Sequence, residues 1–543
     1  MLNPVHADSP SRQSFLSFCR LFSHYRFSAI STLVSSFAVD VYPVTTMYST
    51  FSVLFFLVAS HAFTVLASLA CTADSFSSIL PSNTTITLAT PITKFGSFSQ
   101  NGVNISVSGN ITEDALPICV LELNVKSSAN TSFNTGVLLP NNWNGRLFAT
   151  GNPGFGGGIR WSFQANTLKY GQAVTVSTDT GHIGAPSDIS WAVNNPDGII
   201  DWAYRSLHES TVLAKQLAKA FYGGDVQHAY YTACSNGGRQ GLKEVQMFPE
   251  DYDGVLAGAP PWQITHLHPW ALQLGLWNLP DNQSLHIPTY KFDTISNLIM
   301  SQCDSQDGLV DQIIQDPYSC SLSTVDMMCN ATTANNATCL TPAQIDTLSL
   351  FYNDWQASDG SILYPRFPLS ASASRYGEVT TTPDHFGLEY LYGFVYNDTN
   401  WNWTTFDGEK TVEYVSSLNT GDAAALDMDL SEFKSNGGKL IMYHGLSDTT
   451  VPTGSSIQYF QGVNTTMGSI DDFFQLYLVP GMGHVSLTLI LTSELYSNRN
   501  HSAANLTLPP TTSQPPVKSY KQPKAMDSAF RDTSTLSMTF FSQ

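Results

Sequence analysis

Tyr230-Tyr-Thr-Ala-Cys-Ser-Asn-Gly-Gly-Arg-Gln-Gly241 reads as a hydrophobic strand, a serine, a glycine and the start of a helix. The strand runs His228 to Cys234, and the helical pattern runs from Gly237 to Met247. A serine at the tip of a sharp strand-to-helix turn is the shape of a nucleophile elbow. Such a turn needs small residues two positions before and after the serine, so that strand and helix can approach. Here these are Ala233 and Gly237 around Ser235. Ala233 stands where the usual G-x-S-x-G pattern has its first glycine. A serine at such a junction also serves as a helix N-cap, so the partners elsewhere in the chain decide the reading.

Working outward, strand patterns alternate with a helix pattern. Val120-Leu-Glu-Leu-Asn-Val, Gly136-Val-Leu-Leu-Pro, Arg146-Leu-Phe-Ala-Thr and Ala173-Val-Thr-Val-Ser-Thr read as strands. Asp201 to Tyr222 carries apolar residues at three- and four-residue spacing, a helix. Gly254-Val-Leu-Ala-Gly-Ala is the next strand. This alternation predicts an α/β fold with a mostly parallel sheet. Residues 262–436 break the rhythm, being rich in Trp, Asn, Asp and Thr, and read as an inserted lid domain. The pattern resumes at Lys439-Leu-Ile-Met-Tyr-His and Phe473-Phe-Gln-Leu-Tyr-Leu-Val. The core is thus expected in two parts, 71–261 and 437–484.

The partners follow in the order of an α/β-hydrolase: serine, acid, histidine. Asp448 follows the strand ending Tyr443-His444, and His484 follows the last strand in Pro480-Gly-Met-Gly-His484. In this reading Ser235 attacks an ester carbonyl, His484 moves the proton and Asp448 fixes and stabilises the imidazole. The oxyanion donors are the backbone N–H of Asn236 and one near Gly154, in the glycine cluster Gly151–Gly158. His444, at the strand end before the acid, is read as structural. Asp201 and Asp253 are read as surface or capping acids. Trp262, Trp270, Trp277, Trp401 and Trp403 are the candidate walls of an aromatic pocket.

The chain has 543 residues and carries 24 Lys+Arg against 43 Asp+Glu, a formal net charge of −19. That charge repels phosphate backbones and anionic membranes, which excludes nucleic acid as a partner. Only 12% of residues are charged, about half the usual share, so Ser, Thr, Asn and Gln must supply the polar surface. Asn-x-Ser/Thr triplets begin at Asn83, Asn104, Asn110, Asn130, Asn282, Asn330, Asn336, Asn397, Asn402 and Asn464, as in secreted glycoproteins. Phe51 to Ala70 is apolar, interrupted by Ser60, His61 and Thr64, and ends in Ala67-Ser-Leu-Ala70. This fits a signal peptide over 47–70 better than a membrane span, leaving a secreted chain from Cys71 with no membrane segment. Residues 1–46 then read as an upstream extension foreign to the native protein. The Pro/Thr/Ser-rich run after His484 cannot pack a core, so 485–543 read as disordered and mis-assigned.

In an oxidising compartment the cysteines should pair. Their spacing favours Cys71 with Cys119, Cys303 with Cys320 and Cys329 with Cys339, and leaves Cys234 without a partner. A further cluster, Cys303-Asp304-Ser-Gln-Asp307-Gly-Leu309-Val-Asp311-Gln-Ile313, brings three carboxylates together. They need either solvent or a hard cation such as Ca²⁺. The spacing is not that of an EF-hand, so both readings stand on the residues alone.

Cys-Ser-x-Gly-Gly-Arg-Gln-Gly, with the later Asp-x-x-x-Pro and Pro-Gly-Met-Gly-His, resembles the fungal tannase/feruloyl esterase family. The resemblance runs from about Leu116 to His484 and takes in Thr178-Asp-Thr-Gly-His182 and Asp201-Trp-Ala-Tyr. It implies a secreted hydrolase of phenolic esters, feruloyl or galloyl, with an α/β-hydrolase core and a lid. It also implies a structural Ca²⁺ on the side chains of Asp304, Asp307 and Asp311 and the carbonyls of Leu309 and Ile313. The family has a cysteine directly after the histidine, bonded to the one before the serine. Here Val485 stands in that place. Val-Ser can be encoded across a splice-donor consensus, so the expectation is an intron read through after His484. The alternative is a catalytically impaired, Ca²⁺-stabilised glycoprotein that binds aromatic ligands.

Overall fold

The computed structural model describes residues 69–93, 97–100, 103–106, 117–168, 172–330, 338–371, 373 and 383–484. The expected upstream extension, almost all of the signal peptide and the tail 485–543 lie outside these residues.

Nine strands form the main sheet: β1 Thr84–Ile92, β2 Ile118–Lys126, β3 Ser132–Pro140, β4 Arg146–Thr150, β5 Val174–Thr178, β6 His228–Cys234, β7 Gly254–Gly258, β8 Lys439–Gly445 and β9 Phe474–Val479. Their order is β1-β2-β3-β5-β4-β6-β7-β8-β9. The first three form an antiparallel meander, and β3 runs antiparallel to β5. From β5 to β9 every pairing is parallel. Strand β5 is buried at all five positions, as expected where both faces of a parallel sheet are covered. This is the α/β-hydrolase architecture, with β6 near the centre and its carboxyl end open to the site.

Helix α1 (Ser206–Tyr222) packs Leu207, Leu213 and Leu217 into the core against β5 and β3. It does not begin at Asp201. A short helix starts at Pro196, capped by Asn195 Oδ1, which accepts the Gly198 N–H at 3.1 Å. A π-turn over Asp201–Arg205 links the two. Proline at the first helical position and an Asn cap are strong start signals. Helix α2 (Asn236–Met247) is buried along nearly its whole length.

The 262–436 segment builds a second core around Trp270, Phe292, Ile295, Phe351 and Tyr364, against helix α3 (Ile264–Asn278). Two disulfides, Cys303–Cys320 and Cys329–Cys339, staple it, while Cys71–Cys119 ties the N-terminal segment to β2. At its ends, Trp262, Ala425, Leu430 and Phe433 pack into the main sheet's core instead. An aromatic cluster of Phe155, Trp202, Tyr390 and Phe394 joins the two cores beside the site. Among the described residues, no helix is long and apolar enough to cross a membrane.

Candidate active site

Ser235 sits between β6 and α2 at φ 58°, ψ −132°. A non-glycine residue there is strained, and such strain clusters at functional turns. Small neighbours permit it. A Cβ added at Gly237 would lie 2.6 Å from Ala233 Cβ, and one at Gly238 would lie 2.5 Å from the Gly258 carbonyl oxygen. The Ser235 N–H donates to that same carbonyl at 2.9 Å.

Ser235 Oγ lies 3.0 Å from His484 Nε2, and His484 Nδ1 lies 2.7 Å from Asp448 Oδ2. Asp448 is fully buried, and its other oxygen accepts the N–H groups of Thr450 at 2.7 Å and Val451 at 2.9 Å. Burial opposes ionisation of this carboxyl, but His484 and His444 outweigh it and hold the group well below the ordinary carboxylate range. The base and acid loops close on each other at Gly445, where an added Cβ would meet the Met482 carbonyl oxygen at 2.1 Å. The Ser447 N–H donates to the same oxygen at 2.9 Å.

Asn236 opens α2, and its side chain is pinned at both ends. Its Nδ2 donates to the Asn152 carbonyl at 3.1 Å, and its Oδ1 accepts from Arg239 Nε at 2.7 Å. In the glycine loop, the Asn152 N–H is spent on Gln240 Oε1 at 3.0 Å and the Phe155 N–H on the Pro186 carbonyl at 2.7 Å. Gly154, between them at φ 52°, has an N–H with no partner among the described residues and lines the same cavity as Asn236.

That cavity measures about 560 Å³, within the usual range of ligand sites. Ser235 and His484 lie on its wall, with Phe155, Trp202, Trp270 and Phe386 among its aromatic lining. Of the five tryptophans expected there, only Trp270 lines it. Trp262 is buried under the sheet with its Nε1 donating to the Ser455 carbonyl at 2.9 Å. Trp277 packs on Trp355, Trp401 stacks on Tyr396, and Trp403 opens a short 3-10 turn capped by Asn402.

Asp201 corrects another expectation: it is fully buried, not a surface acid. It accepts from Arg205 Nε at 2.6 Å and from Ser127 Oγ at 2.7 Å, so it fastens the π-turn to the β2–β3 connection. Asp253 is an exposed acid, and its Oδ2 accepts the Ala229 N–H of β6 at 2.7 Å. His444 is buried, with Nδ1 2.7 Å from Ser456 Oγ and Nε2 3.0 Å from Asp448 Oδ2. Cys234 is a free thiol, which burial pushes up to about 11.

Sequence reasoning passed over Arg239 and Gln240, though both stand in the opening motif. The π-turn frees carbonyls from the helix ladder. Arg239 Nη1 takes that of Ala203 at 3.1 Å and Gln240 Nε2 that of Trp202 at 3.1 Å. The Arg239 guanidinium also lies 4.4 Å from the centre of the Trp202 ring. A charged residue on a helix whose every face must be covered was the available signal.

In the acidic loop, Asp304 is buried while Asp307 and Asp311 are exposed. Asp307 Oδ1 accepts the Leu309 N–H at 2.9 Å, Asp311 Oδ1 the Ile313 N–H at 3.1 Å, and Asp304 Oδ1 the Asp311 N–H at 3.3 Å. Among the described residues, the one set of three such side chains with ligand atoms within 4.8 Å is elsewhere: His208, Glu244 and Asp251. There His208 Nδ1 lies 2.7 Å from Asp251 Oδ2, behind α2.

The family described as tannase and feruloyl esterase matches residues 119–493. A probable feruloyl esterase B-1 of Aspergillus fumigatus is 34% identical over 379 residues, 68% of this chain and 70% of its own length. Feruloyl esterase B of Aspergillus niger is 34% identical over 391 residues, covering 70% of this chain and 73% of that protein. The crystal structure of feruloyl esterase B from Aspergillus oryzae superposes with a TM-score of 0.69 at 30% identity, covering 76% of this chain and 83% of that one. With the parallel sheet, the elbow and the inserted second core, these matches establish that the chain belongs to the tannase and feruloyl esterase family of carboxylic ester hydrolases.

Proposed function

We propose that the protein is a secreted serine esterase that cleaves phenolic esters, feruloyl esters first, through an acyl-enzyme. The observation that carries this reading is the hydrogen-bonded line Ser235–His484–Asp448 opening on an aromatic cavity. Ser235 Oγ attacks the ester carbonyl while His484 Nε2 takes its proton. The tetrahedral oxyanion is received by the N–H groups of Asn236 and Gly154. His484 then protonates the leaving alcohol, and water repeats the sequence on the acyl-enzyme to free the phenolic acid. The names of the curated relatives favour feruloyl over galloyl esters. Three disulfides support an oxidising, extracellular setting.

The acidic loop is proposed to hold Ca²⁺ through Asp304, Asp307 and Asp311 and the carbonyls of Leu309 and Ile313. The donor set is all hard oxygen. Asp304 is buried with no ion pair among the described residues, a charge that calls for a cation. The ion would brace the lid and take no part in ester chemistry.

The test is release of acid from methyl ferulate and methyl gallate by the wild type and by Ser235→Ala. Hydrolysis by the wild type, lost by at least ~10⁴-fold in the variant, is expected. Comparable turnover by the variant would remove Ser235 from the mechanism.

A further inference from the structure

His268 lies on α3, immediately before Pro269, which interrupts the helix ladder. Its ring is 4.5 Å from Tyr390, stacked, and 5.2 Å from Phe155. The side chain lines the cavity that holds Ser235, yet the residue is only 8% exposed. Nδ1 is buried and has no hydrogen-bond partner. Nε2 has no protein partner among the described residues either, and it is the nitrogen left to face the cavity.

A buried imidazole with neither nitrogen paired is unusual, because a buried polar group without a partner costs stability. The nearby wall carboxylate is already engaged: Asp384 Oδ1 caps the helix His385–Tyr390 by accepting the Gly387 N–H at 3.1 Å. Around His268 the wall is aromatic, formed by Phe155, Trp202 and Phe386. Flat aromatic walls with a polar atom set among them suit an aromatic ring that carries a polar substituent. We infer that His268 is a specificity-determining residue, whose Nε2–H donates a hydrogen bond to a ring hydroxyl on the acyl group of the ester.

The tautomer follows from the surroundings. Nδ1 has no acceptor in reach, so the proton belongs on Nε2, where a phenol oxygen can receive it. Burial, with the Arg239 guanidinium nearby, pulls the imidazole down to about 3, so it stays neutral across the working range. An uncharged donor does not demand a phenolate. The inference rests on the esterase reading above, but it concerns which ester is preferred.

The experiment compares kcat/KM for methyl 4-hydroxycinnamate, methyl 3-hydroxycinnamate and unsubstituted methyl cinnamate. The wild type is expected to favour one hydroxylated ester over cinnamate by about tenfold or more, since the ester lacking the hydroxyl leaves the imidazole unpaired. His268→Phe should bring that ratio close to one, and His268→Gln, which keeps an N–H donor, should restore part of it. Binding of the same esters to Ser235→Ala gives a measurement in the unaltered cavity, with the same order of preference expected. A wild-type ratio near one, or a ratio unchanged in His268→Phe, overturns the role of His268. Absence of any ester turnover by the wild type overturns the esterase reading instead, so the two failures are distinct.

Discussion

His444 shares the oxygen of Asp448 that His484 uses: His444 Nε2 lies 3.0 Å from Asp448 Oδ2, and His484 Nδ1 lies 2.7 Å from the same atom. Both neighbours of His444 Nε2, Asp448 Oδ2 and the Val451 carbonyl at 2.9 Å, are acceptors. That nitrogen therefore carries a proton, and His444 positions the acid. His444→Phe should cost about 3 kcal/mol by leaving a buried carboxylate short of a donor. It should also lower kcat by ~10–100-fold with a smaller change in KM. Denaturant unfolding and steady-state kinetics check this; full activity at native stability would contradict it.

The depressed Asp448 carboxyl has a consequence for acid stability. A group whose pKa is lower in the folded state contributes stability above its unfolded value, near 3.9 for Asp, and loses it as pH falls below that. The stability gap between the wild type and Asp448→Asn should thus be full at pH 7 and pH 5 and shrink below about pH 4. Unfolding curves at each pH measure it, and a gap that widens on acidification would rule it out.

The elbow tolerates no side chain at Gly238, because the obstacle is the backbone carbonyl of Gly258 at 2.5 Å. Gly238→Ala should destabilise the protein by about 2 kcal/mol or more. Gly224→Ala, where an added Cβ meets nothing within 4 Å, should be nearly neutral. Equal melting temperatures for the two variants would show that the elbow is looser than described.

Cys234 adjoins Ser235 in the chain as position 485 adjoins His484, and Ser235 and His484 touch at 3.0 Å. Val485→Cys should therefore bond to Cys234 under oxidising conditions. Closing a loop on the order of 250 residues should add ~3–5 kcal/mol of stability. Peptide mapping for a 234–485 cross-link, with melting curves, is the check; two free thiols after oxidation would refute it.

Chelation tests the acidic loop. Treatment with EDTA should lower the melting temperature by several degrees, and added Ca²⁺ should restore it. Asp304→Asn should abolish that response while Ser235-dependent turnover persists at low temperature. A melting curve indifferent to chelator and Ca²⁺ would leave Asp304 as a plain buried acid.

The sheet and the elbow were legible because their signals are local. Strand runs, Ser235 between Ala233 and Gly237, and loops after β8 and β9 are each written in a few consecutive residues. The lining of the cavity was not. Trp202 and Trp262 look alike in sequence, yet Trp202, in the π-turn over Asp201–Arg205, lines the cavity while Trp262 packs into the core of the main sheet. Asp201 was misjudged for the same reason: its partners, Arg205 and Ser127, lie on an adjoining turn and a distant connection. His268 is equally silent, since its unpaired nitrogens become visible only once Tyr390 and Phe155 enclose the ring.

Arg239 gives the site a standing electric field. It is fully buried, its Nη1 donates to the carbonyls of Ala203 and Ala423, its guanidinium lies over an indole face while Nη2 is left without a hydrogen-bond partner, and no carboxylate pairs with it among the described residues. Burial draws it down to about 9, so it remains cationic at neutral pH. Its Nε holds Asn236 Oδ1 at 2.7 Å, which sets a positive charge directly behind the proposed oxyanion donor. At an effective dielectric of ~20, a unit charge ~7 Å from a developing oxyanion favours it by on the order of 2 kcal/mol. The potential is present before any ester arrives, so in this otherwise acidic protein the interior beside Asn236 favours negative charge.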